Sequence, residues 1–299
     1  MTQRIGFIGL GLMGHGIAKN LLAKGFALSF KVHRNRDALA DLIAAGATEA
    51  ESHAVLAREN DIVFICVTGS PQVEEVVYAT GGLLEGARQG LTVVDMSTAE
   101  PQSTTRIRES FAAKGTRYID APLARTPKEA EEGRLNTMVG ADPEDLEKLT
   151  PVLKAFCENI IHAGPPGKGH VLKLINNMMA MTMAASICEA MAVAAKAEVD
   201  LHKVFQLISA GAVNSGIFQM IVGKALEGQL DGLKFAIGNA QKDLRYYTHL
   251  AEMLPVSSFM AEAAHQTFVE AVNLGYADKF VPSLLEVHEK LNNVRILPR

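Results

Sequence analysis

The sequence predicts an α/β fold in two parts, a doubly wound parallel sheet followed by an all-helical C-terminal domain joined through a long helix. Two observations support this prediction. Short apolar runs alternate with helical patterns as far as residue 163, as in a sheet with helices on both faces. From Gly164-Pro165-Pro166-Gly167 onward the periodicity is helical throughout. We therefore expect two domains, residues 1–163 and residues 164–299.

The apolar runs of the first domain are the expected strands. They resemble strands buried on both faces of a parallel sheet, which are nearly continuous in Val, Ile and Phe. They lie at 5–8, 27–32, 62–67, 91–95, 116–120, 135–140 and 159–162. Helices are expected after the first strand and at about 35–45, 72–79, 102–114 and 143–156. In the second domain, a helix over about 169–197, expected to be buried nearly all round, precedes five or six shorter helices.

Composition and charge exclude several classes of protein. The chain has 299 residues, of which 48% are hydrophobic and 21% charged, as in ordinary globular proteins. Its net charge is −4 and its Lys and Arg residues are scattered, so we expect neither a nucleic-acid partner nor a membrane-surface partner. The apolar stretch Met178–Ala195 contains Glu189 and is better explained by a buried helix than by a bilayer span.

The cysteines and histidines carry no recognisable site pattern. Cys66, Cys157 and Cys188 are isolated in the sequence, which fits a reducing compartment. The sequence contains no Cys-x-x-Cys and no His-x-x-x-His, so no metal site is expected. The first strand follows Met1 almost directly and leaves no room for a signal peptide. We therefore expect a cytoplasmic protein.

A glycine motif follows the first expected strand and opens a helix. Its pattern is Gly9-x-Gly11-x-x-Gly14. In this setting Gly9 would permit a tight turn, Gly11 the approach of a pyrophosphate, and Gly14 close packing of the helix on the strand. The phosphates would then bind N–H groups at the helix N-terminus. Strand, motif and helix together predict a Rossmann dinucleotide-binding site; a merely structural turn is the alternative.

The end of the second strand bears on the choice between NAD and NADP. A site that prefers NAD usually has an acidic residue there to bind the ribose 2′-hydroxyl. Here Val32 is followed by His33-Arg34-Asn35-Arg36, and the first carboxylate is that of Asp37. Because arginine attracts a 2′-phosphate, we expect NADP(H) to be preferred, with NAD(H) possible. The alternative is that Arg34 stacks on the adenine without contacting the phosphate.

A second polar group lies at the start of the long helix. Gly169, Lys173 and Asn177 are spaced four residues apart and therefore share one helix face. A lysine among apolar residues requires a polar cavity or a partner. Near a nicotinamide, its ammonium could donate a proton to the alkoxide formed by hydride transfer. The alternative is a lysine whose amine extends to the surface.

Five short motifs are spread along the full length of the chain. They are Gly9-Leu-Gly-Leu-Met-Gly14, Asp95-Met-Ser-Thr98, Asp120-Ala-Pro-Leu-Ala-Arg-Thr126, Gly169-x-x-x-Lys173-x-x-Asn-Asn177 and Lys242-Asp243. In this order they resemble those of the β-hydroxyacid dehydrogenases. That family includes 3-hydroxyisobutyrate, 2-hydroxy-3-oxopropionate (tartronate semialdehyde), glyoxylate/succinic semialdehyde and sulfolactaldehyde enzymes.

The resemblance implies a homodimer or homotetramer and assigns roles to individual residues. It implies that Lys173 is the catalytic acid/base and that Asn177, also catalytic, helps to hold the substrate. With the glycine motif, the expected cofactor site comprises Gly9, Gly11, Leu12, Met13, Gly14, His33, Arg34, Asn35, Val67, Thr68, Thr98 and Lys242. The expected substrate site comprises Ser97, Leu123, Ala124, Arg125, Thr126, Lys173 and Asn177.

One motif departs from the usual pattern of the family. Many members have Ser-Gly-Gly where this chain has Ala124-Arg125-Thr126, so a serine hydroxyl is missing and a guanidinium is present. The Arg-Thr pair resembles the sulfolactaldehyde reductase branch more than the hydroxyisobutyrate one. A guanidinium suits a carboxylate, sulfonate or phosphate. The alternative is that Arg125 points to solvent or pairs with Glu129, Glu131 or Glu132.

Together these features predict an NADP(H)-dependent oxidoreductase acting on a CH–OH group. The expected reaction is hydride transfer between the nicotinamide and a small anionic aldehyde or ketone, with Lys173 moving the proton. An imine reductase is an alternative, although such enzymes usually lack the lysine at position 173. A non-catalytic dinucleotide-binding scaffold would be expected to lose Lys173 or Asn177. Phosphogluconate dehydrogenase has a large C-terminal region for which this chain is too short.

Overall fold

The computed structural model describes residues 3–32, 36 and 39–298. The chain forms two compact units, Met1–Lys173 and Leu174–Arg299. The second unit thus begins within a long helix, whereas the sequence places the domain boundary just before that helix. The boundary between residues 163 and 164 stays a prediction.

The first unit is built on a sheet that has nine strands among the described residues. They are β1 Arg4–Ile8, β2 Ala27–Lys31, β3 Thr48–Glu49, β4 Ile62–Ile65, β5 Thr92–Asp95, β6 Arg117–Asp120, β7 Leu123–Ala124, β8 Leu135–Gly140 and β9 Cys157–Gly164. Their order is β3-β2-β1-β4-β5-β6-β8-β7, with β9 also paired to β8. The strands from β3 to β6 are parallel, whereas β8 runs antiparallel to β6 and β7.

Strand β1 lies between β2 and β4. From β1 the chain first adds β2 and β3 on one side of the sheet, and then crosses over to add β4, β5 and β6 on the other side. Ile5 is opposite Leu28 on one side and Ile62 on the other. In open α/β sheets, ligands bind beyond the carboxyl ends of the strands at such a reversal. The residues that follow β1 therefore lie where a dinucleotide site is expected.

The core of this unit lies on both faces of the sheet, because successive strand residues point to opposite faces. Phe64 in β4 packs in one cluster with Phe7 and Phe156. Its neighbour Val63 packs in the other cluster with Phe111. All four residues of β4 are buried, which explains the continuous apolar run in the sequence.

The helices of the first unit fill the intervals between strands. They are α1 Gly14–Ala23, α2 Ala40–Ala44, α3 His53–Glu59, α4 Ser70–Tyr78, α5 Leu83–Gly86, α6 Pro101–Ala112, α7 Pro127–Glu131 and α8 Pro143–Leu153. Four of them, α4, α6, α7 and α8, have a proline in their first two positions. Proline suits this position because its fixed φ is helical and its missing N–H would have no intrahelical partner.

The α/β organisation of this unit is confirmed. The sheet is mixed and not wholly parallel as predicted, because β8 runs antiparallel to β6 and β7, and the other differences concern short elements. The prediction missed β3, β7, α3, α5 and α7. The two strands have two residues each, too few to show a period. The start of α3 had a local signal, since the Ser52 hydroxyl accepts a hydrogen bond from the Val55 N–H at 3.2 Å.

The second unit is helical, as the sequence predicts, with one antiparallel bridge between Ala236 and Phe280. Helix α9, Lys168–Lys196, starts in the first unit and continues into the second. The further helices are α10 Leu201–Ala210, α11 Gly216–Phe218 with a π-helical turn at Gln219–Gly223, α12 Ile237–Met253, α13 Phe259–Asn273, and α14 Leu284–Asn292 after a 3₁₀ turn at Val281–Ser283.

The expectation that α9 is buried nearly all round is wrong for the single chain. Met181 and Cys188 are buried in the helical core, whereas Met179 and Val193 are 60% and 63% exposed. Ile175 is exposed as well. Helix α9 is also long enough and apolar enough to cross a membrane. Core helices of soluble proteins can have the same length and composition. One side of α9 thus presents apolar side chains that this chain leaves uncovered.

Candidate functional site

The glycine turn after β1 has the steric features that a dinucleotide requires. Gly9 has φ +96°, and a Cβ there would lie 2.1 Å from the Cys66 carbonyl oxygen. A Cβ on Gly14 would lie 2.0 Å from the Gly9 carbonyl oxygen. A Cβ on Gly11 would instead meet no atom within 4 Å. Two glycines therefore close the turn and the third leaves open space, which fits a bound pyrophosphate.

The residues between these glycines differ in exposure. Leu12 is 70% exposed and Met13 is half-buried. Helix α1 begins at Gly14, directly after them. The first N–H groups of a helix have no intrahelical partner, so this turn directs donors toward the place where phosphates would bind.

The loops after β4 and β5 are joined at the same edge of the sheet. The Val67 N–H donates to the Ser97 hydroxyl at 3.0 Å, and the Ser97 N–H donates to Asp95 Oδ1 at 2.9 Å. Thr68 and Thr98 follow Val67 and Ser97 in these loops. The structure therefore brings together two parts of the predicted site, one assigned to the cofactor and one to the substrate.

Burial, and next to it the charge of Asp95 at the end of β5, raises the pKa of two neighbouring groups. Burial, together with the charge of Asp95, raises the pKa of the Cys66 thiol to about 12. Burial and Asp95 also raise the pKa of Tyr118 well above its usual range, and the Tyr118 hydroxyl donates to Asp95 Oδ2 at 2.7 Å. Both groups are therefore protonated at neutral pH, and Cys66 is not a thiolate nucleophile.

The predicted substrate loop begins with β7 and ends at the start of α7. Leu123 and Ala124 pair with β8, and Thr126 precedes the helix. The Thr126 N–H donates to the Glu129 carboxylate at 3.0 Å, and the Thr126 hydroxyl donates to the same carboxylate. This capping box fixes the end of the loop.

Arg125 lies in this loop with φ +81°, the left-handed region that favours glycine. Its guanidinium forms an ion pair with Glu158 in β9 and donates to the Arg134 carbonyl oxygen. The partner is therefore none of the three glutamates considered from the sequence. The anion-binding role of Arg125 stays a prediction.

Lys173 and Asn177 lie one turn apart on α9. Lys173 is half-buried, and Asn177 is 7% exposed. Asn177 Nδ2 donates to Asp243 Oδ2 at 2.6 Å. The other oxygen of this buried carboxylate lies 2.7 Å from Lys242 Nζ. Within the second unit, Asp243 thus brings together a predicted substrate residue and a predicted cofactor residue.

Sequence reasoning missed Asp243 as a site residue. The signal was present in the motif Lys242-Asp243, where a carboxylate adjoins a lysine to which a role was assigned. Lys242 Nζ also lies 4.8 Å from the centroid of the Tyr246 ring. The carboxylate and the ring hold the Lys242 ammonium on two sides.

Three predicted cofactor residues, His33, Arg34 and Asn35, lie outside the described residues. The adjacent Arg36 forms an ion pair with Glu49, whose other oxygen lies 3.5 Å from Lys31 Nζ. Among residues 3–32, 36 and 39–298, no group of three or more His, Cys, Asp or Glu side chains is arranged to hold a metal ion.

Comparison with known proteins identifies the family. Residues 4–164 match the family described as the NAD binding domain of 6-phosphogluconate dehydrogenase. Residues 167–287 match the family described as NAD-binding of NADP-dependent 3-hydroxyisobutyrate dehydrogenase. The chain belongs to the β-hydroxyacid dehydrogenase family. It is therefore an NAD(P)-dependent oxidoreductase of the type that acts on the CH–OH group of small hydroxy acids or the corresponding aldehydes.

Similar proteins extend this membership over the full length. The 2-(hydroxymethyl)glutarate dehydrogenase of Eubacterium barkeri is 31% identical over 294 residues, 98% of this chain and 97% of the relative. The 3-sulfolactaldehyde reductase of Escherichia coli is 32% identical over 94% of each chain. The crystal structure of 3-hydroxyisobutyrate dehydrogenase from Salmonella typhimurium has a TM-score of 0.83 at 27% identity, covering 95% of this chain and 99% of that one. The family resemblance inferred from the motifs is confirmed.

Proposed function

We propose that this protein catalyses reversible, NADP(H)-dependent hydride transfer to or from a small anionic semialdehyde or hydroxy acid. The substrate class is that of 2-hydroxy-3-oxopropionate, succinic semialdehyde, glyoxylate or sulfolactaldehyde. The observation that carries the proposal is the pair of Lys173 and Asn177, one turn apart on α9, with the Asn177 amide fixed by the buried Asp243. Residues four apart on a helix project to the same side.

Lys173 is the proposed general acid/base. When bound, the nicotinamide supplies or accepts the hydride. In the direction of reduction, the Lys173 ammonium donates a proton to the substrate oxygen as negative charge develops on it. In the direction of oxidation, the neutral amine accepts that proton. One N–H of the Asn177 amide is held by Asp243, so its other N–H can orient the same oxygen.

The proposed site for the substrate anion is the loop Leu123–Thr126. Arg125 and Thr126 would bind the anion together with backbone N–H groups. In the structure both residues already donate to carboxylates of this chain, Glu158 and Glu129. A substrate carboxylate or sulfonate would therefore replace one anionic acceptor by another of similar chemistry.

The preference for NADP(H) is proposed from the segment His33–Arg36, which contains two arginines and no acid. The match of residues 167–287 to a family described as NADP-dependent supports it. We expect Arg34→Ala to weaken NADP(H) binding and to leave NAD(H) binding unchanged, because a charge-assisted contact with the phosphate contributes roughly 1.5–3 kcal/mol. Fluorescence titration with both nucleotides measures this, and a wild-type preference for NAD(H) would contradict it.

A homodimer or homotetramer is proposed from the exposed apolar face of α9. Ile175, Met179, Met183 and Val193 are all exposed in the single chain. A second copy of the chain would remove these side chains from water. Sedimentation of the wild type and of Met179→Glu tests the assignment. A monomeric wild-type protein would contradict it.

The experiment that tests the reaction follows the loss of NADPH absorbance with the four anionic carbonyl compounds, an uncharged aldehyde of similar size and a cyclic imine. Turnover of at least one anionic compound well above the uncharged aldehyde is expected. Turnover of the imine alone would favour the imine reductase alternative. Binding of NADPH without any turnover would favour the non-catalytic scaffold.

A further inference from the structure

The first turn of α9 is held by a carboxylate from the neighbouring strand β6. Asp120, the last residue of β6, is fully buried. Its Oδ1 accepts the Gly167 N–H at 2.6 Å, and its Oδ2 accepts the His170 N–H at 2.8 Å. N–H groups at a helix start have no intrahelical partners, and a negative charge there is favourable. Asp120 therefore caps α9 from outside the helix.

Two glycines leave room for this contact. A Cβ on Gly140 would lie 2.5 Å from Asp120 Oδ1. A Cβ on Gly169 would lie 2.4 Å from the Met138 carbonyl oxygen and 2.8 Å from Asp120 Oδ2. The start of α9 is therefore pressed directly against β6 and β8. Gly169, which the sequence places on the same helix face as Lys173, is explained by this packing.

The His170 side chain holds the same turn from another side. Its Nδ1 lies 2.7 Å from the Thr104 hydroxyl, and its Nε2 lies 3.7 Å from Asp95 Oδ2. His170 and Asp95 are both fully buried. Because Asp95 also accepts the Ser97 N–H, one carboxylate adjoins both the start of α9 and the loop of Ser97 and Thr98, which are predicted to bind substrate and cofactor.

We propose that Asp120 is a positioning residue, which fixes the first turn of α9 and through it the location of the Lys173 amine. Lys173 follows the capped residue His170 by three positions, less than one turn of helix. The proposal rests on the proposed function, in which Lys173 moves the proton. A displacement of about 1 Å from productive geometry can reduce a rate on the order of 10²-fold, so the effect belongs in kcat.

The first test is Asp120→Asn, which keeps the size of the side chain but replaces one acceptor oxygen by an N–H donor. We expect kcat to fall by about 10- to 100-fold, while the Kd for NADPH and the circular dichroism spectrum stay at wild-type values. The matched control is Asp200→Asn. Asp200 caps α10 by accepting the His202 N–H at 2.9 Å, and this variant should keep the wild-type kcat.

The second test is Gly169→Ala, which keeps the carboxylate but forces the helix start away from β8. The same fall in kcat with unchanged NADPH affinity is expected. Its control is Gly216→Ala at the start of α11, where an added Cβ would meet no atom within 4 Å. If Asp120→Asn does not fold, Gly169→Ala decides alone.

Two results would overturn the proposal: wild-type kcat in both variants, or a parallel loss of kcat and NADPH affinity. The first would mean that the cap does not locate Lys173, and the second that Asp120 supports the whole unit. The variant Lys173→Ala distinguishes a failure of the positioning role from a failure of the proposed function. Full activity of Lys173→Ala overturns the function itself, whereas an inactive Lys173→Ala beside fully active Asp120→Asn and Gly169→Ala overturns the positioning role alone.

Discussion

The glycine turn and the loop Leu123–Thr126 both contain a residue with a left-handed backbone, and they use it in opposite ways. At Gly9, φ is +96° and a Cβ would collide with the Cys66 carbonyl oxygen at 2.1 Å. At Arg125, φ is +81° and the position carries a long charged side chain. The first location excludes every side chain, and the second accommodates one whose guanidinium is bound by Glu158.

The difference indicates how each region is specified. The turn owes its shape to backbone atoms in close contact, so it suits the fixed geometry of the dinucleotide phosphate that an NAD binding domain holds. The loop owes its shape to ion pairs and hydrogen bonds between charged side chains, for which another anion can compete. Substitutions should therefore separate nucleotide binding from substrate turnover.

The largest expected effect is on turnover with nucleotide binding intact. We predict that Lys173→Ala lowers kcat by about 10²–10⁴-fold, because a general acid/base group contributes that much. Single-turnover kinetics measures the loss, and fluorescence titration should give an unchanged Kd for NADPH. Lys168→Ala, an exposed lysine at the start of the same helix, is the control and should be fully active.

The next largest effect is expected in the loop Leu123–Thr126. We predict that Arg125→Gly lowers kcat/KM for the anionic substrate. The loss of transition-state stabilisation should be about 2–4 kcal/mol, because a charge-assisted contact in a partly desolvated site is lost. Glycine is chosen because it keeps the left-handed backbone that alanine would strain. Turnover of an uncharged aldehyde should barely change, and equal losses on both compounds would assign Arg125 to the support of the loop.

Glu158→Gln sharpens this result from the other side of the ion pair. It releases the guanidinium from its charged partner, so KM for the anionic substrate should fall, by at most about five-fold because a solvent-accessible pair contributes about 0–1 kcal/mol. A rise in KM would indicate that Glu158 holds Arg125 in its binding geometry.

An effect smaller than that of Arg125→Gly is expected in the glycine turn. Gly14→Ala places a Cβ 2.0 Å from the Gly9 carbonyl oxygen, and we predict a loss of about 1–3 kcal/mol in stability together with weaker NADPH binding. Gly11→Ala should weaken NADPH binding at an unchanged Tm, because its Cβ meets open space. Equal Tm values for the two variants would contradict this account of the turn.

The smallest effect depends on pH. It involves a contact between α1, which follows the glycine turn, and α7, which follows the loop Leu123–Thr126. His15 in α1 lies 2.8 Å from Glu131 of α7 and 3.0 Å from Asp41. Burial opposes its ionisation, but the hydrogen bonds and charges of Glu131 and Asp41 outweigh burial and raise the pKa of His15 above 6.5. Lys19, 3.0 Å from Glu131, also faces the group.

The sign of the pH effect follows from the raised pKa. The contribution of His15 to stability is fully present below pH 6.5, the unfolded value, and is lost as pH rises through the higher folded pKa. Since the partners are largely exposed, we expect less than about 1 kcal/mol. Chemical denaturation at pH 6 and pH 8 should show a loss in the wild type that is absent in His15→Gln.

Local patterns made the nucleotide region predictable, whereas the pairing of residues far apart in the sequence could not be predicted from local patterns. The strand, the three glycines and the helix lie within 23 residues of the N-terminus, and their order alone indicates a phosphate site. The partners of Arg125 and Asn177 lie 33 and 66 residues away, and no periodicity reports such contacts. The uncovered face of α9 was missed because both sides of that helix are apolar.

The left-handed backbone of Arg125 also determines which residue stability favours at this position. A non-glycine residue in that region costs roughly 1–2 kcal/mol, so selection for stability alone favours a change from arginine to glycine. The reverse change adds this strain, and the ion pair with Glu158 offsets only about 0–1 kcal/mol of it. An arginine is therefore expected to persist at this position only where its guanidinium contributes to function.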